Sequence, residues 1–242
     1  MQWRSDEPLH ALHVAVRNTT DTPVHFADLQ LVTPSFKTLP AEKTDAVLKR
    51  TERTDLRIPY GVGNCPPQGL PEVSPATVVA HLSTGSGQPY KVVFKVPHPD
   101  PLLARLLRDE CSAYLIRQVA DIEFGPEWKP SGKTMRGELV IKRRNPGEVT
   151  LKDMGGTTHY QVEPEHRPLA TLEPDRQRLE VPITLTPARC DSHAFAEAKK
   201  AFLFPVRASV DGGQERVVIV TPPKPQQDYL IKWAAKVCGL TH

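Results

Sequence analysis

The sequence predicts an all-β protein with short helices, built as two tandem copies of one β-sandwich with one disulfide in each copy. Three observations carry this. Rare residues recur at a common offset, apolar residues alternate with period two between frequent turn signals, and four cysteines fall into two pairs of similar spacing. The 242 residues suit one large domain or two of ordinary size. The expected domains are 1–113 and 114–242.

The repeat comes first because it organises the rest. Shifted by 125 positions, Trp3 falls on Trp128, Val24 on Val149, Asp28 on Asp153, Arg53 on Arg178, Ile58 on Ile183, Cys65 on Cys190 and Pro97 on Pro222. With a two-residue slip, Arg17-Asn18 meets Arg144-Asn145 and Cys111 meets Cys238. The chain has three Trp and four Cys, so their pairing at one offset is hard to obtain by chance. The competing reading is mere compositional similarity between β-rich stretches.

In the first copy, Leu12, Val14 and Val16 alternate with His13, Ala15 and Arg17, the pattern of a half-buried strand. After the turn-rich run Asn18 to Pro23 come Val24, Phe26 and Leu29 or Leu31, and Leu56 and Ile58 precede Cys65. Val78–Ala80 and Lys91–Val96 flank Ser83-Thr-Gly-Ser-Gly-Gln88, which predicts a hairpin. The second copy repeats the hairpin as Phe204–Val210, Asp211-Gly212-Gly213 and Arg216–Val220, with Asp-Gly favouring the φ > 0 pair of a tight turn. Pro101–Glu110 and Asp228–Val237 break the β pattern and predict short amphipathic helices after Pro. Ser192–Ala201 predicts a third, capped by Asp191 or Ser192. Tyr114–Phe124 predicts a strand before Trp128. Its equivalent before Trp3 would lie upstream of Met1, so either the first copy has lost a strand to truncation, the favoured expectation, or that strand belongs to the linker region.

The cysteine separations are 46 residues (Cys65 to Cys111) and 48 residues (Cys190 to Cys238). One bond within each copy explains the even count and the repeated spacing, although four cysteines allow other pairings. Each bond would contribute about 3–4 kcal/mol by the loop-entropy model. Such bonds persist outside the cytoplasm. Four buried thiols in a cytosolic protein is the opposing reading. The N-terminal run Met1-Gln-Trp-Arg-Ser-Asp-Glu7 lacks the apolar segment of a signal peptide. An exported chain would then be a mature fragment, with any lipid anchor upstream. No stretch approaches the 18 or so apolar residues of a membrane span.

A net charge of +3, scattered along the chain, excludes a nucleic-acid partner as the expectation. Lys142-Arg143-Arg144 is the densest basic run and predicts an exposed strand edge. Cys190-Asp-Ser-His193 has the spacing of half a zinc site. His159 and His166 lie in a distant loop, and three Met are few for copper. The disulfide explains both copies while a metal explains one, so no metal, cofactor or catalytic residue is assigned. His10 and His13 are expected to be two surface histidines on opposite faces of a strand. Trp3 and Trp128, at equivalent positions, are expected to pack equivalently. Glu163, Glu165, Glu173 and Asp175 are expected to form a solvated loop. G-x-S-x-G, H-E-x-x-H, P-loop and G-x-G-x-x-G patterns are absent.

The strand–turn alternation, the duplicated Trp and the cysteine pairs resemble tandem immunoglobulin-like or fibronectin-like β-sandwich proteins of the bacterial cell envelope. Cys190–Glu197 and Phe204-Pro205-Val206 are similar to segments of uncharacterised exported proteins of high-GC Gram-positive bacteria. The second Cys of each pair follows a helix, a departure from immunoglobulin domains. The resemblance implies binding or scaffolding of a protein or a cell-wall or surface component. The expected protein is therefore a non-enzymatic, exported or lipid-anchored binding protein of the envelope. The alternatives are an envelope copper- or zinc-handling protein using His193 and nearby histidines, and an enzyme with an interdomain site.

Overall fold

The computed structural model describes residues 1–2, 6, 9–197 and 200–240. The fold is all-β with short helices and two disulfides. Contacts divide it into two compact units, Met1–Cys111 and Ser112–His242.

In the first unit, β1 (Ala11–Asn18) pairs antiparallel with β4 (Thr51–Pro59). A larger antiparallel sheet has the order β3 (Glu42–Leu48), β2 (Val24–Val32), β5 (Thr77–Thr84), β6 (Tyr90–Lys95). The two sheets share a core of Leu12, Leu56 and Ile58 with Phe26, Leu29, Leu31, Val78 and Ala80. A bulge between Phe26 and Asp28 shifts the alternation, so Leu29 and Leu31 continue the inward row and Asp28 does not. β3, Glu-Lys-Thr-Asp-Ala-Val-Leu, went unpredicted because its apolar residues cluster at one end.

The first helix, α1 (Pro101–Val119), starts where the Asp100 carboxylate accepts the Leu103 amide N–H at 2.9 Å, an N-cap. It corrects two expectations. It runs nine residues past Glu110, and it absorbs Tyr114–Val119, leaving only β7 (Ala120–Phe124) of the expected strand. No Gly or Pro lies between Pro101 and Gly125, so nothing in the chain stops an established helix after Cys111.

The second unit adds β8 (Lys129–Ser131), β9 (Thr134–Arg143), β10 (Val149–Met154), β11 (Tyr160–Glu163), β12 (Ala170–Leu172) and β13 (Arg178–Pro187). These are followed by α2 (Ser192–Glu197), β14 (Phe204–Val210), β15 (Arg216–Val220) and α3 (Lys224–Val237). One sheet has the order β11-β13-β9-β7 with β8 beside β9; the other has the order β12-β10-β14-β15. The second order runs through the chain as β3-β2-β5-β6 does in the first unit, and β9–β13 runs as β1–β4 does. Leu139, Ile141, Val181 and Ile183 face Leu151, Phe204, Val206 and Val218 in one core. The tight turn has Asp211 at φ 48° and Gly212 at φ 65°, as Asp-Gly favours. Helix α3 begins at Lys224, earlier than expected, with Pro at its first turn. Helix α2 spans six residues of the expected run; 198–199 lie outside the described residues.

Two further expectations fail. Lys142 and Arg143 end β9, an inner strand between β13 and β7, and Arg144 follows it. The charges are matched there: Lys142 meets Glu123, Arg144 Nε reaches Asp121 at 2.6 Å, and Arg143 donates to the carbonyls of Arg176 and Glu173. His13 is buried, with Nδ1 3.1 Å from the equally buried Asp6 carboxylate, which Arg57 approaches at 3.8 Å. The neighbouring carboxyl group compensates the ring's loss of water.

Candidate functional site

The first unit holds an apolar groove of about 620 Å³. One wall is β1 from Leu12 to Asn18. The other is the end of β6 and the segment after it, Phe94 to Pro97, and Leu102 and Leu103 close one side. Phe26, Leu29 and Leu82 floor it. Charged groups sit at the margins. Arg17 is exposed and 3.3 Å from Glu52, Lys95 is exposed, and Asp100 is engaged in capping α1.

Strand alternation explains why this wall is open. In β1 the main-chain groups of alternate residues point to opposite edges. The Ala11 N–H donates to the Asp6 carbonyl, and Ala11 O accepts from the Gln2 side chain at 3.0 Å. His13 exchanges both main-chain hydrogen bonds with Met1, each at 2.6 Å. These are the edge groups turned away from β4. Ala15 and Arg17 follow in the same alternation, and among the described residues no strand lies along this edge. The side chains of Val14 and Val16 point inward yet remain half-buried. Across the groove, Phe94 stands opposite buried Val78 on β5 and is 40 % exposed.

The second unit closes the same slot. β7 pairs antiparallel with β9, with Ile122 opposite Ile141 and Phe124 opposite Leu139, and it also touches β15. Leu139 and Ile141 are 0 % exposed, and Val218 and Val220 on β15 are 2 % and 3 %. Trp128 packs there against Phe124 and over Gly137, where a Cβ would come within 2.5 Å of the indole ring. Trp3 lies outside the described residues.

The groove offers hydrocarbon and an open main-chain edge, a surface for association. The site residues picked from sequence lie elsewhere. Cys65 is bonded to Cys111 and Cys190 to Cys238, with Cα atoms 5.2 and 5.1 Å apart, ordinary disulfide spans. Cys190 is therefore no thiolate ligand, and His193 is exposed on α2. His159 is buried, packed on Phe195 with ring centroids 4.6 Å apart, and desolvation lowers its pKa. His10 stacks on Tyr60 and faces Glu110 at 3.4 Å. Glu163 ends β11, and Glu165, Glu173 and Asp175 are exposed. Among the described residues no three His, Cys, Asp or Glu side chains converge as a metal site would require. No helix among them is long and apolar enough to cross a membrane. Sequence reasoning missed the groove. Its signal was the adjacent Val92, Val93 and Phe94 in an edge strand.

No family model matches the chain, and no curated protein matches it. Among solved structures, it is similar to the CsuC–CsuE chaperone–tip adhesion subunit complex of Acinetobacter baumannii, at 10 % identity over 89 % of this chain and 93 % of that one, TM-score 0.24. A protein of unknown function from Porphyromonas gingivalis W83 aligns at 16 % identity over 88 % of this chain and 90 % of that one, TM-score 0.23. The exo-chitosanase CsxA of Amycolatopsis orientalis aligns at 12 % identity over 86 % of this chain but 25 % of that one, TM-score 0.23. Likenesses this weak establish neither an activity nor a partner for this chain.

Proposed function

We propose that this chain is a non-enzymatic, exported binding or scaffolding protein of the cell envelope, made of two tandem, duplicated immunoglobulin-like β-sandwiches. The observation that carries the binding reading is the groove of the first unit, about 620 Å³ and lined chiefly by hydrocarbon. Contiguous apolar surface left open on a folded unit marks an interaction site. Two disulfides favour an oxidising compartment. The matching strand orders of the two units, and a disulfide from each unit's helix to the region after its β4 or β13 strand, support duplication.

The test is co-sedimentation of the purified chain with isolated bacterial envelopes. Retention is expected, and Phe94→Asp, which places a charge in the groove from a partly exposed position, removes it. If wild-type chain stays in the supernatant, or if the variant is retained equally, the reading fails.

A further inference from the structure

We draw no further inference here: the strongest candidate, the apolar groove of the first unit between β1 and the end of β6, belongs to the site already described, and nothing in the structure shows what covers its β1 edge.

Discussion

The two units lay down equivalent sheets and finish them differently. In the second, β7 covers the row formed by Leu139 and Ile141, which are fully buried. In the first, Val14 and Val16 occupy the corresponding inward row of β1 and stay half-exposed. Phe94 is 40 % exposed where Val220, also opposite a buried residue of the neighbouring strand, is 3 % exposed. A single strand of five residues thus separates a closed core from an open groove. The hydrophobic residues are present in both units; what differs is whether, among the described residues, a strand lies beside the first strand of the sheet.

The sharpest way to break this comparison is to truncate the two inward rows. Ile141→Ala should destabilise the second unit by about 2–5 kcal/mol, as full burial with little room for collapse requires. Val14→Ala should cost the first unit only about 1 kcal/mol, since its methyl groups already meet water. Equal losses in chemical denaturation would show that the groove is closed in solution. Next in size are the disulfides. Replacing Cys65 and Cys111 together with Ser, or Cys190 and Cys238 together, should each lower stability by about 3–4 kcal/mol, with one unit's transition moving in each variant. A smaller effect belongs to the turn of the β14–β15 hairpin. Gly212→Ala at φ 65° should cost about 1 kcal/mol in a thermal melt, while the open groove of the first unit is untouched. The smallest concerns His159. Burial lowers its pKa, so the unfolded chain takes up a proton that the native second unit refuses. Stability is full above the unfolded value of about 6.5 and declines as pH falls below it. His159→Gln should flatten that decline, and an unchanged slope would point to other groups.

Much of the fold was legible because local chemistry and tertiary structure agree. Asp211-Gly212 marked its hairpin, the alternation of Leu12, Val14 and Val16 marked β1, and the spacing of the cysteines matched the bonds formed. Reading failed where one signal served two masters. Leu115, Ile116 and Val119 suit a strand as well as a helix, and continuity with α1 decided for helix. Lys142, Arg143 and Arg144 looked like an edge because their partners, Asp121, Glu123 and the carbonyls near Glu173, come from elsewhere in the chain. His13 looked exposed because Asp6 and Arg57, which make its burial tolerable, carry no local mark. The groove was the least legible feature of all. Its one local mark is the run Val92, Val93 and Phe94 in β6, and such a run fits a covered strand as well as a groove wall.

The disulfides have a consequence for the fate of a damaged molecule. The Cys65–Cys111 loop encloses all of β5 and β6, and the Cys190–Cys238 loop encloses all of β14 and β15. Each loop also contains an exposed glycine turn, at Gly85 in the first and Gly212 in the second. Exposed turns of this kind are where proteases cut. A cut at either turn would leave both fragments covalently joined, with the severed strands still hydrogen-bonded in their sheet. The nicked protein would run as one species until a reductant is added, and the groove wall built by β6 would outlast the break in its own hairpin.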